Sequence, residues 1–288
     1  MTGRHVLSAH YCTDIEDTLA TIAFLHGKKW SSMLIKRVYF GNFLRDYSQA
    51  LDVGTLKSCN ADTIRILVWV LSFMAFGYAT EEFEVTSDRL GTYRPEEHID
   101  NPLGYAEGTD ARQFDSRLRG PVDPVEVEID LRTGMKNYIA NETGRWATSA
   151  GYLRFSFARS IHYGRLYTSG ANGKGKEEDL CEALRCLGQA LHCLEDFSAH
   201  SNYCELALRE LGFRNVFPHV GSQTEINVHG KRIFPLVTGT VSHDHWPPSS
   251  KPESYRTPSL EKSTSSTPSL EKQPITSHSP RSTRSILP

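Results

Sequence analysis

Residues 190–208 read ALHCLEDFSAHSNYCELAL, and in them His192, Asp196 and His200 recur at every fourth position. On an α-helix with 3.6 residues per turn, such positions stack into a slowly drifting stripe about 80° wide. Imidazole nitrogens beside a carboxylate form a donor set suited to zinc and similar ions. Asp196, in the centre, is placed to bridge two cations with a histidine serving each, which makes it the candidate catalytic residue. Two readings stand at this level: a row of metal ligands, or a hydrogen-bonded polar patch in which Asp196 orients a ring. Glu205 lies 13 positions past His192, about 140° round a continuous helix. It joins the row only if the helix breaks near Ser201-Asn202, and a structural role is expected for it.

One helix cannot close a zinc site, so further ligands must come from elsewhere. GNFLRDYSQALDVG, residues 41–54, sets Asp46 among apolar residues at helical spacing. YRPEEHIDNP, residues 93–102, sets His98 and Asp100 just past a Pro-bounded turn. Taken singly, Asp46 reads equally as an ion-pair partner of an arginine such as Arg45, and His98 as an exposed loop residue.

The elements that must position these residues are mostly helical. Helices are predicted at Asp14–Leu25, Ser31–Leu51, Thr63–Ala79, Trp146–Tyr167 and Glu177–Leu211. The third contains the longest apolar run, Ile66–Ala79, whose 14 residues are too few for a membrane span and read as a buried core helix. Residues 91–145, rich in Pro, Gly and Asp, read as a long irregular insertion crossing the surface. Glu225–Val237 reads as a small hairpin turning at His229-Gly230. The expected class is all-α, a multi-helix bundle with little strand. From Val241 onward, 26 of 48 residues are Ser, Thr or Pro, and TPSLEK occurs twice. That composition cannot bury enough apolar surface to offset its ordering entropy, so 241–288 is expected to be a disordered tail. The expected division is 1–13 leader, 14–240 helical domain and 241–288 tail.

Bulk properties narrow the function. The chain has 288 residues, 39% hydrophobic and 23% charged, with a formal net charge of -2. There is no broad basic footprint and no strong nucleic-acid signal. No apolar h-region opens the sequence, so no signal peptide is visible. The six cysteines form no C-x-x-C pair and read equally as free thiols or disulfides. Asn141-Glu142-Thr143 is an N-glycosylation sequon, with meaning only in the secretory pathway. Gly170–Lys176 lacks the spacing of a phosphate loop and reads as a flexible interhelical loop.

The segments KRVYFGNFLRDYSQALDVGTLK, RILVWVLSFMAFGYATEEFEV, YRPEEHIDNP, RFSFARSIHYGR and LGQALHCLEDFSAHSNYCELAL, in that order, resemble the HET-C family of fungal heterokaryon incompatibility proteins over about residues 14–240. The resemblance implies non-self recognition leading to programmed cell death. It also implies allelic or other incompatibility proteins as partners, contact with membrane or phospholipid, and a secreted, vacuolar or membrane-associated location. More distantly, the family is similar to zinc-dependent phospholipases C and single-strand nucleases, all-α enzymes with up to three zinc ions. On that likeness Asp46, His98, His192 and Asp196 match ligands of a first site and His200 begins a second, fewer than three ions being expected here. The alternative function is then a zinc-dependent phosphodiesterase acting on phospholipid or nucleic acid. Two departures stand out. The family's Gly before the Asp-Ile-Glu-Asp run is Thr13 here, with His10 further upstream, and after Thr240 the Ser/Thr/Pro tail replaces a further helical segment. The chain is accordingly expected to be a truncated or aberrant version, with impaired activity and a remnant cluster.

Overall fold

The structure, a computed structural model, describes residues 30–169 and 175–239, with Asp17–Leu19 and Thr21. The expectations for the leader, for most of Asp14–Leu25 and for the tail lie outside the described residues. What is described is mostly helical, as expected, with two small antiparallel hairpins.

Helix α1, Ser32–Ser48, starts where Ser31 accepts a hydrogen bond from the Leu34 amide, a side-chain cap that satisfies an otherwise free N–H. Helix α2, Ala61–Phe76, is capped by Asn60 and ends at Gly77, whose φ of 78° is the left-handed conformation that costs glycine least. The short helix α3, Pro95–His98, begins with proline at its first turn, where the missing N–H is not needed. Helix α4 is Ser149–Thr168 and α5 is Glu177–His200. Glu177, Glu178 and Asp179 in the first turn of α5 complement the helix dipole. Helix α5 packs along both α1 and α4, and α3 packs against α4 and α5.

Two glycines allow α1 and α5 to approach closely. A Cβ on Gly188 would lie 1.8 Å from the Val38 carbonyl oxygen, and one on Gly41 would lie 2.0 Å from that of Arg185. Glycine inside a helix costs about 1 kcal/mol relative to alanine; here the cost is offset by backbone-to-backbone packing that no side chain permits. Beside this seam an aromatic core forms, with the Phe40 and Phe76 rings 5.7 Å apart, Phe40 and Phe83 5.3 Å, and Phe43 and Phe76 5.4 Å.

Three expectations change. The long helix Glu177–Leu211 breaks at Ser201-Asn202 into α5 and α6, Tyr203–Glu210. The Asn202 side chain explains the break: it donates to the Pro218 and Pro235 carbonyls and accepts from the Val237 amide, tying the chain to a C-terminal strap. The segment 91–145 is not merely a surface crossing. It buries Tyr93, Ile99, Ala111, Leu118, Tyr138 and Ile139 and carries the hairpin β1 (Ile129–Asp130) and β2 (Met135–Lys136). Helix α2 is not a buried core helix, because only Ile64, Val68, Ser72 and Phe76 are buried. The expected hairpin turns at His229-Gly230, pairing β3 (Ile226–Val228) with β4 (Lys231–Ile233).

Candidate metal centre

Helix α5 presents His192 and Asp196 one turn apart, both buried. The residue that meets them comes from the far end of α3. There the chain turns sharply, with Ile99 at φ 54° and the Asp100 amide bonded back to the Pro95 carbonyl. A β-branched residue in the left-handed region is uncommon and costs about 1–3 kcal/mol. The Tyr93 ring stacks on His98 at 5.7 Å, and the turn leaves His98 wholly buried against α5.

Three donor atoms converge there. His98 Nδ1 lies 3.2 Å from His192 Nε2 and 3.3 Å from Asp196 Oδ2, and His192 Nε2 lies 3.2 Å from the same oxygen. A tetrahedral zinc ion with ligands at about 2.0–2.1 Å holds them about 3.3–3.4 Å apart, so this triangle has close to the edge length of one tetrahedral face. Among the described residues, His98, His192 and Asp196 form the group of donors able to hold an ion.

The surroundings decide which atoms carry protons. Asn42 Nδ2 donates to Glu195 Oε2 at 3.0 Å, which turns Asn42 Oδ1 toward His192 Nδ1 at 3.2 Å. An amide oxygen only accepts, so His192 Nδ1 carries its proton. In the neutral ring Nε2 is then a lone pair, facing a carboxylate oxygen. Two electron-rich atoms at that distance require a positive charge between them, a proton or a metal ion. Without a metal, burial opposes a charged His192, but the Asp196 carboxylate outweighs it, with smaller contributions from Asp46 and Glu195, and the ring's pKa rises. Burial also opposes ionised Asp196, yet His192 and His98 hold it well below the usual carboxylate range.

The row continues to His200. Its Nδ1 donates to the His98 carbonyl at 2.8 Å and lies 3.1 Å from Asp100 Oδ1, so Nε2 faces Asp196 Oδ1 at 3.8 Å. Burial works against its charge, but Asp100 and Asp196 push its pKa up to about 9. Asp100 is held in turn by the Tyr93 hydroxyl, which donates to Oδ2 at 3.0 Å. Thus each oxygen of Asp196 faces a different histidine of the row.

Asp46 stands at the rim, half-buried, outside the converging triangle. Gln49 lies between, its Nε2 3.5 Å from Asp46 Oδ1 and 3.4 Å from His98 Nδ1. Arg45 does not pair with Asp46; its guanidinium is buried against Glu97 and the Leu90 carbonyl. Glu205 sits past the helix break but turns to His219, 3.7 Å away, consistent with a structural role. Asn141 is half-buried, its Nδ2 donating to Asn137 Oδ1 at 2.7 Å while its Oδ1 accepts from the Thr143 hydroxyl at 2.6 Å. The five cysteines among the described residues are free thiols. Among the described residues, no helix is long and apolar enough to cross a membrane.

Sequence reasoning missed Asn42, Gln49 and Glu195. Asn42 leaves one trace, a poor helix former inside an otherwise apolar helical stretch beside Gly41. Gln49 and Glu195 leave none, since both are ordinary helix residues.

No curated protein and no solved structure matches the chain. The family model described as heterokaryon incompatibility protein Het-C matches residues 8–247. That span takes in α1 through the C-terminal strap and every residue of the converging triangle, and the chain belongs to the Het-C family.

Proposed function

We propose that the chain acts in non-self recognition of the heterokaryon-incompatibility kind, ending in programmed cell death, and that His98, His192 and Asp196 hold one zinc ion. Family membership supports the first part. The observation that carries the second is the convergence of two ring nitrogens and one carboxylate oxygen into a triangle with sides of 3.2–3.3 Å. The ion's part is structural: it joins the α3 turn to α5, replacing the proton that the triangle otherwise needs. Such a centre is the remnant of a larger cluster, with Asp46 at its edge and His200 at the start of a second position. Partners are allelic or other incompatibility proteins, with membrane phospholipid as a further contact, in the secretory pathway, where the Asn141 sequon is used.

Elemental analysis of the purified full chain tests the metal. About one zinc per chain is expected, and none in the His192→Ala/Asp196→Ala double variant. A well-folded chain free of zinc after exposure to zinc overturns the metal assignment. Expression of the chain in a fungal strain of unlike allelic type, scored for cell death on fusion, tests the recognition role; fusion without growth arrest overturns it.

A zinc-dependent phosphodiesterase is the second reading. It is favoured by the continuation of the donor set through the other oxygen of Asp196 to His200 and Asp100. Zinc held there would supply activation of water near neutral pH and charge compensation for a phosphoryl group. Asp196 and the histidines would hold the metal, Asn42 would keep His192 in the ligating tautomer, and Tyr93 would fix Asp100. Hydrolysis of a phosphodiester probe by zinc-loaded chain, abolished in Asp196→Asn, is the outcome this reading requires.

A further inference from the structure

Helix α2 buries one stripe and leaves the remainder of an apolar surface in water. From Ile66 to Phe76 it carries no charged residue. Ile64, Val68, Ser72 and Phe76 face the core. On the opposite side Ile66, Leu67, Val70, Phe73 and Met74 are 50, 59, 52, 53 and 75% exposed, with Leu71 beside them at 40%. A helix that is apolar all round belongs inside something. With large side chains offering on the order of 200 Å² each, the six present roughly 500–800 Å². This reaches beyond the largest patch of a typical monomer, about 300–600 Å², and approaches the roughly 800 Å² per partner of a standard interface.

The face is also self-complementary. Its exposed residues lie at three and four positions on either side of Val70, the spacing at which two helices interlock side chains. A two-fold contact requires the same patch on both partners, each position meeting its mirror position. Turned antiparallel about Val70, the face meets itself with apolar residues at every position and no charge within it. The charges lie at the ends. Asp62, its side chain 83% exposed, begins the helix. At the other end Lys36 donates to the Phe76 carbonyl at 3.1 Å and stands 5.3 Å over the Tyr78 ring. Antiparallel order brings Asp62 of one copy to the end where the other copy carries both Lys36 and the exposed Glu81, so the apolar face and not the charged ends carries the pairing. A lipid surface fits less well, because exposed acids, Asp62 and Glu81, flank both ends of the face.

We infer that α2 is the contact surface between two copies of this chain, paired antiparallel about a two-fold axis at Val70. Ile66 then packs against Met74 of the partner subunit and Leu67 against Phe73 of the partner subunit. This pairing does not depend on the metal centre.

Sedimentation velocity of the full chain at micromolar concentration tests it. The expected mass is twice the 32.4 kDa of one chain. Val70→Glu and Val70→Lys should each sediment as one chain, with unchanged circular dichroism because Val70 is not a core residue. Mixing the two variants should restore the double mass, since the opposite charges meet at the axis. The Leu67→Gln/Met74→Gln variant, which adds no charge, should also halve the mass. A monomeric wild type, or a dimer that persists in Val70→Glu, overturns the inference. So does a wild type that is monomeric in solution yet binds phosphatidylcholine–phosphatidylserine vesicles through Val70, which would assign the face to lipid.

Discussion

His98 and His192, 94 residues apart in sequence, bring ring nitrogens to within 3.2 Å of each other, and Asp196 Oδ2 lies at nearly the same distance from both. Two rings and a carboxylate at that spacing need a proton or a metal ion between them. Emptying or filling the site should therefore alter how firmly the α3 turn is held to α5.

Zinc should raise the melting temperature of the wild-type chain. Ligand in about hundredfold excess over its dissociation constant stabilises by about 2.7 kcal/mol, which for a domain of this size is about 5–11 °C. His192→Ala and Asp196→Ala should lose the response. Differential scanning calorimetry with zinc and with a chelator measures it; equal shifts in variant and wild type would place the metal elsewhere.

Asn42→Leu should weaken zinc binding about 10–100-fold, the usual effect of removing a group that orients a ligating histidine. The reason is the bond from His192 Nδ1 to Asn42 Oδ1, which keeps Nε2 free to ligate. Chelator competition gives the affinity, and nitrogen chemical shifts of His192 give the tautomer. An unchanged tautomer in Asn42→Leu would remove this role from Asn42.

Gly188→Ala should destabilise the fold by about 3 kcal/mol or more, above the usual range of about 1–3 kcal/mol for overpacking, because the new Cβ would sit 1.8 Å from the Val38 carbonyl oxygen. The backbone must move, and Asn42, next to Gly41 on α1, moves with it. Urea denaturation should show a lower midpoint, and zinc affinity should fall in parallel. A midpoint within error of wild type would mean that the α1–α5 seam is looser than described.

Glu182 should make stability depend on acid. Burial works against its charge, but Arg185 on α5 and Arg159 on α4 outweigh burial and hold its pKa at about 2 against an ordinary 4.5. The stabilisation is complete above about pH 4.5 and is lost as pH falls through about 2, because the unfolded chain takes up the proton first. With the Arg159 side chain 40% exposed, solvent screening keeps the effect of order 1 kcal/mol. Glu182→Gln should flatten that slope in acid denaturation curves; an identical slope would assign it to other carboxylates.

The residue order alone determined that the chain is helical, that His192, Asp196 and His200 share a stripe of α5, and that a hairpin turns at His229-Gly230. These follow from local periodicity and turn chemistry, which act over one or two turns of chain. Het-C membership was likewise readable from the order of its segments. Tertiary structure decided the rest. It brought His98 into the triangle and left Asp46 at the rim behind Gln49, through a strained turn at Ile99 that no spacing rule anticipates. It broke the last long helix at Asn202, because a strap some 35 residues further along the chain offers that side chain better partners than another helical turn does. And it left α2 apolar on the outside, where composition alone suggested a core helix. Hydrophobicity states that a surface must be covered, and only the packing shows which stripe the chain covers itself.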